Sequence, residues 1–170
     1  MTALYTSDLS ILDIVEDTVV DGPGLRTSIY AAGCPRRCRG CHNPRSWFIE
    51  NGTRQSIDHV MERIKDAALS NVTFSGGDPF LQVEAFARLA RRVREETAKT
   101  IWCYTGYLYE EVIVSPRLSR LLPFIDVLVD GPYVEELRDE ESPFTGSSNQ
   151  RVIDVAASRA AGRVITRTND

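Results

Sequence analysis

Histidine, methionine and tryptophan occur twice each in these 170 residues and cysteine four times, so the usual metal-binding and nucleophilic side chains can be placed one by one. No apolar run approaches the roughly 20 residues that a bilayer-crossing helix needs. The first ten residues lack the charged start, apolar stretch and small-residue cleavage site of a secretory signal. No internal repeat, low-complexity segment or linker divides the chain. With 42% hydrophobic and 26% charged residues, the composition is that of an ordinary soluble globular protein. Its length is enough for one domain with a sizeable core. The expectation is a single domain over residues 1–170, soluble, intracellular and cytoplasmic, where thiols stay reduced and no disulfide framework is needed.

Three of the four cysteines crowd one short run: Cys34, Cys38 and Cys41 stand as C-x3-C-x2-C in Gly33-Cys34-Pro35-Arg36-Arg37-Cys38-Arg39-Gly40-Cys41-His42-Asn43. A closed structural zinc site takes four ligands, whereas a 4Fe-4S cube held by three thiolates keeps one iron open to a small molecule. Zinc stays in view, because His42 or the distant Cys103 could supply a fourth ligand. The second cysteine pair of a usual zinc module is missing, however. Cys103, in Thr100-Ile101-Trp102-Cys103-Tyr104, reads as a small hydrophobe in a buried strand.

Charge is unevenly spread. The net charge is −4, yet Arg36, Arg37, Arg39 and Arg45 make the cysteine loop basic. These arginines read as balancing thiolate and sulfide charge rather than binding nucleic acid, since no aromatic-interleaved basic stripe continues the patch.

Strand-like and helical runs alternate along the chain. Strands are expected at Ile11 to Val15, Leu25 to Ala31, Asn71 to Ser75, Thr100 to Tyr104 and Ile125 to Val129, with peripheral ones at Arg151 to Val155 and Arg163 to Thr166. A helix from Ser56, its N-cap, to Ser70 places Ile57, Val60, Met61 and Ile64 on one face. A second from Gln82 to Thr97 turns Val83, Phe86, Ala87, Ala90 and Val93 inward, and a weaker helical stretch covers Leu108 to Leu122. Glu135 to Ser142 reads as a solvated acidic loop, and His59 as structural. This order argues for parallel pairing through crossovers. With too few units for eight-fold closure, the expected fold is α/β: a partial, open parallel β/α barrel or short open sheet. Sites in such folds lie on loops at the carboxyl ends of strands. There the cysteine loop, Gly76-Gly77-Asp78-Pro79, Thr105-Gly106 and Gly131-Pro132 should share one opening.

With these motifs in order, the chain resembles the radical S-adenosylmethionine (SAM) superfamily and, within it, the activating enzymes of anaerobic, glycyl-radical ribonucleotide reductases. The likeness runs from Val20-Asp21-Gly22-Pro23-Gly24 through the cysteines, Ser75 to Pro79, Trp102 to Tyr107, Asp126 to Gly131 and Gly146-Ser147-Ser148-Asn149-Gln150. It implies a truncated radical SAM barrel in which Cys34, Cys38 and Cys41 hold one 4Fe-4S cluster whose fourth iron is chelated by SAM. One electron then splits SAM into methionine and a 5′-deoxyadenosyl radical. It also implies a strong donor, reduced flavodoxin or ferredoxin. Gly76, Gly77 and Asp78 would meet the methionine end of SAM, the glycines by admitting backbone close to the ligand. Gly40 and His42 would line the SAM pocket. The family often has an aromatic residue before the third cysteine; here that position is Gly40. Thr105 and Ser148-Asn149-Gln150 are further candidates, equally readable as hydrogen-bonders within loops.

A truncated barrel leaves a broad mouth for a polypeptide loop, so the implied partner is the large chain of an anaerobic ribonucleotide reductase, attacked at a glycine α-hydrogen. Direct nucleic-acid or membrane partners are not expected, and a homodimer is among the assemblies the sequence allows. Two other readings stay open. One is an activase of another glycyl-radical enzyme or a small-molecule radical SAM enzyme, although cysteines for accessory clusters are absent. The other is a non-catalytic zinc-binding interaction module.

Overall fold

The computed structural model describes residues 8–168. Its frame is one seven-stranded sheet: β1 (Asp8–Thr18), β2 (Arg26–Ala31), β3 (Thr53–Ser56), β4 (Asn71–Gly76), β5 (Ile101–Tyr104), β6 (Val127–Asp130) and β7 (Arg151–Asp154), in the order β3-β1-β2-β4-β5-β6-β7. The four central strands β2, β4, β5 and β6 run parallel. The flanking strands do not: β1 pairs antiparallel with β2 and β3, and β7 antiparallel with β6. The alternation of strand and helix holds in the middle of the chain, where crossovers are long. The short turn between β1 and β2 allows only an antiparallel return, whereas β7 runs antiparallel to β6 although residues 131–150 separate them.

Four helices complete the chain: α1 (Ile57–Asp66), α2 (Val83–Glu96), α3 (Tyr109–Val114) and α4 (Val155–Ala161). Helix α1 starts where Ser56 caps it, its hydroxyl accepting the His59 amide at 3.1 Å. It buries Ile57, Val60, Met61 and Ile64 as their spacing requires, each contributing about 2 kcal/mol through apolar burial. It ends at Asp66, short of the expected Ser70. Helix α2 buries Val83, Phe86, Leu89, Ala90 and Val93, and Phe86 meets Phe74 of β4 edge-on with centroids 5.0 Å apart. Cys103 is wholly buried in the same core. The expected strand at 163–166 is reduced to a single bridge, Ile153 to Thr166.

All four helices add buried residues to one core, on the sheet face that carries Ile29, Phe74, Ile101, Cys103 and Leu128. The pleat sends alternate residues to the opposite face, where Arg26, Ser28 and Tyr30 of β2 lie beside a second, smaller apolar cluster of Trp102, Val127, Val129 and Val152 with Tyr104 and Phe144. Arg26, almost fully buried there, donates to the Thr73 hydroxyl at 2.7 Å and the Val72 carbonyl at 2.6 Å. Its guanidinium also lies 5.6 Å from the Trp102 ring centroid. Burial lowers its pKa to about 10. Asp21, from the turn before β2, accepts from the Ser28 hydroxyl at 2.8 Å and from the Tyr30 hydroxyl. Burial and that carboxylate push the Tyr30 phenol up to about 12.

Candidate functional site

The loops after β2, β4, β5 and β6 meet at the carboxyl ends of the parallel strands. The cysteine loop leaves β2 at Ala31 and is fixed at its root by backbone bonds. Ala32 donates to the Ser10 carbonyl at 3.0 Å, Gly33 to the Ser46 carbonyl at 2.8 Å and Cys34 to the Trp47 carbonyl at 3.1 Å. The Gln82 side chain adds a second anchor, accepting the Ser10 amide at 2.8 Å and donating to the carbonyls of Ser10 and Ala32, both at 2.9 Å. Beyond the root the loop is partly open: Cys34, Cys38 and Cys41 are free thiols of intermediate exposure, and His42 is exposed. Burial pushes the Cys34 thiol above its usual range.

The Gly-Gly-Asp turn after β4 is pressed against this root. Gly77 donates to the Ala31 carbonyl at 2.7 Å and Asp78 to the Gly33 carbonyl at 2.8 Å. A Cβ on Gly77 would stand 2.4 Å from the Gly33 oxygen and 2.8 Å from the Ser46 oxygen; one on Gly76 would meet the Ala31 nitrogen at 2.5 Å. Both glycines therefore have a packing reason inside the protein, beside the ligand approach the resemblance implies. Gly76 also takes a positive φ of 93°, which glycine alone adopts cheaply.

Asp78 points inward. Fully buried, its carboxylate accepts the Phe80 amide, the Gly106 amide and the Thr105 hydroxyl, each at 3.0 Å. Burial raises its pKa to about 6, against the opposing pull of those donors. Thr105, itself buried, accepts the Tyr107 amide at 3.1 Å. Asp78 and Thr105 thus join the loops after β4 and β5 as a closed internal node. Gly131, after β6, donates to the Tyr107 carbonyl at 3.0 Å. Buried Asp130 accepts from the Tyr109 amide and from Arg151 of β7. In the 148–150 run, Asn149 donates to the Pro132 carbonyl and Gln150 to that of Gly131, so these side chains close the β6 loop.

The loops also grip the arginines of the cysteine run. Arg36 stacks on Tyr107 with its guanidinium 4.9 Å from the ring centroid and pairs with Glu111 at 3.0 Å. Arg39 pairs with Glu135 at 3.1 Å. Gly40, at φ 75°, faces the Glu135 carboxylate, which a Cβ would approach to 2.7 Å. The acidic stretch read as a free loop therefore begins with a turn that leans on the cysteine loop.

The donor set fits a 4Fe-4S cluster. Three thiols on one loop are the kind of set that would hold such a cluster. Among the described residues no group of three or more His, Cys, Asp or Glu side chains is gathered closely enough to hold a metal ion, the three loop thiols included. A cleft of about 720 Å³ beside β1, β3 and the start of α2 is lined by Asp8, Ser10, Arg54 and Glu84, among others, and by no cysteine. Among the described residues no helix is long and apolar enough to cross a membrane. Gln82, Ser46 and Trp47 carry no motif, and sequence reasoning missed them. Gln82, a polar residue just ahead of an amphipathic helix, was the one available signal.

Residues 20–153 match the family model of the 4Fe-4S single cluster domain. The chain is 37% identical over 140 residues to the anaerobic ribonucleoside-triphosphate reductase-activating protein of Vibrio cholerae, covering 78% of this chain and 89% of the relative. It is 36% identical over 152 residues to the protein of that name from Haemophilus influenzae, covering 84% and 96%. The counterpart of Enterobacteria phage T4 is 30% identical over 139 residues, covering 78% and 86%. With the cysteine loop inside the matched span and the likeness running over most of both chains, this protein belongs to the family of anaerobic ribonucleoside-triphosphate reductase-activating proteins.

Proposed function

We propose that this chain is a radical SAM activase that installs a glycyl radical on the large chain of an anaerobic ribonucleotide reductase. The observation that carries the reading is the cysteine loop. Three free thiols stand at the carboxyl ends of the parallel central strands, rooted by Ser46, Trp47, Gln82 and the Gly-Gly-Asp turn, in a chain akin to reductase-activating proteins. When bound to these thiols, a cluster with one iron free of thiolate would supply the single electron needed for reductive cleavage of SAM.

The chain's own residues hold and orient. Cys34, Cys38 and Cys41 are the cluster ligands. Their loop is kept in register with β4 by the Gly33 to Asp78 bond, and with β5 by Arg36 over Tyr107. Gly40, His42, Gly76 and Gly77 are assigned to the face on which SAM would lie because the family resemblance implies it. Asp78 and Thr105 act behind that face, holding the β4 and β5 loops at a fixed spacing, and such preorganisation is what a radical reaction requires. Helices packed on one sheet face, with the opposite face left to Arg26, Asp21, Tyr30 and a smaller apolar cluster around Trp102, support the reading of the sheet as an open partial barrel. The peptide would then approach from the face without helices. A reduced flavodoxin or ferredoxin serves as donor.

Anaerobic protein carrying its cluster should be mixed with SAM, a reductant and a reductase chain from the same cell. A glycyl doublet in the electron paramagnetic resonance spectrum, with deuterium passing from the glycine α-carbon into 5′-deoxyadenosine, is expected. Purified protein containing zinc but neither iron nor labile sulfide would sink the reading.

A further inference from the structure

The four arginines of the cysteine run are not equivalent. Arg36 and Arg39 are held by Glu111 and Glu135. Arg37 and Arg45 are exposed, and among the described residues neither has an ion-pair partner. Arg37 lies over Phe48, its guanidinium 4.8 Å from the ring centroid. Phe48 and its neighbour Ile49 are themselves 40% and 45% exposed. An exposed apolar spot thus sits under Arg37 in the run that carries the thiols, with the exposed Arg45 three residues ahead of Phe48 and the exposed Glu50 next to Ile49. Arg37 also sits at φ 46°, one of only two non-glycine residues with positive φ among those described. A backbone strain of this kind persists where surroundings or function require it.

We infer that this exposed face of the cysteine loop is the docking surface for a small acidic one-electron carrier protein. The inference rests on the cluster reading above and names the surface through which that cluster would be reduced. Two arguments support it. Electron transfer weakens steeply with distance, so the carrier must approach the cysteine loop closely. The protein as a whole, at net charge −4, repels an acidic partner, so unpaired arginines in the run beside the thiols would steer encounter to the productive place. Phe48 and Ile49 supply the apolar centre that such a contact uses. The step itself is simple: the carrier's reduced cofactor loses one electron, the cluster gains it, and no bond is made or broken.

The test uses protein with its cluster in place and a reduced flavodoxin as probe. The wild type is compared with the double variant Arg37→Glu, Arg45→Glu. Stopped-flow bleaching of the cluster absorbance should give a second-order rate on the order of tenfold lower in the variant at low ionic strength. The gap should close at high salt, where charges beyond a few ångströms are screened. Photoreduced deazaflavin, too small to need a docking face, should reduce both proteins at the same rate. Arg37→Gly is a second variant that removes one charge while relieving the positive φ; it should slow the flavodoxin reaction about threefold at low salt without loss of thermal stability.

Equal rates and equal salt dependence in wild type and variants would overturn the inference. So would a double variant that keeps its flavodoxin rate but loses binding to the reductase chain, since the face would then belong to that partner. Protein that never shows iron-sulfur absorption would instead sink the cluster reading itself.

Discussion

Gly77→Ala is the sharpest single test of how the site is built. The residue's backbone lies outside the left-handed region, so alanine meets no conformational penalty and the effect is steric. Its new methyl would stand 2.4 Å from the Gly33 oxygen, 2.8 Å from the Gly33 carbonyl carbon and 2.8 Å from the Ser46 oxygen. All three are backbone atoms with no rotamer in which to retreat. Overpacking by one carbon costs about 1–3 kcal/mol. Shifting the turn also weakens the bonds from Gly77 to Ala31 and from Asp78 to Gly33, each worth about 1 kcal/mol. The expected loss is therefore about 2–4 kcal/mol, read by urea denaturation of the cluster-free protein. Because the displaced atoms are the root of the cysteine loop, the reconstituted variant should also hold less iron and sulfide than wild type. A variant as stable as wild type, with a full cluster and only weakened SAM binding, would refute this reasoning. It would show that the glycine is there for the ligand alone.

Changing any of Cys34, Cys38 or Cys41 to Ala should abolish iron-sulfur absorption and SAM cleavage, whereas Cys103→Ala should keep both and cost about 1 kcal/mol as a small core truncation; loss of the cluster in a folded Cys103→Ala protein would contradict this. Asp78, with its native pKa raised to about 6, contributes stability that is complete below its unfolded value near 4 and declines as pH rises through 6. A shift of about two units corresponds to roughly 3 kcal/mol. The stability of Asp78→Asn relative to wild type should thus improve by up to that amount between pH 4 and pH 7 in urea titrations, and parallel pH profiles would show that the buried carboxyl titrates normally.

The parts of the fold that sequence made legible are those with a strong apolar period. Helices α1 and α2, and the buried strands β4, β5 and β6, lie where their patterns place them. Strand β3 escaped because Thr53-Arg54-Gln55-Ser56 has no apolar residue; it exists only through its edge pairing with β1. Helix α4 escaped because Val155-Ala156-Ala157-Ser158-Arg159-Ala160-Ala161 is short and has no apolar period, although its alanines, the Asp154 cap on the Ala157 amide and the left-handed Gly162 that ends it are helix signals. At the site, the cysteines and the strand-end glycines were visible as motifs. Their division of labour was not, because a glycine looks the same in sequence whether a ligand or a neighbouring carbonyl fills the space beside it. Asp78 likewise reads as a ligand-facing acid until its burial and its donors are seen.

The Gln82 side chain has a wider consequence. By accepting from the Ser10 amide and donating to the Ser10 and Ala32 carbonyls, it behaves as a surrogate strand residue contributed from the threshold of α2. The amide of Ser10 should accordingly exchange with solvent as slowly as one in a regular ladder, although its acceptor is a side chain. The root of the cysteine loop then cannot fray alone: opening it breaks bonds to β1, β4 and the α2 entrance together, so it belongs to the same cooperative unit as the core.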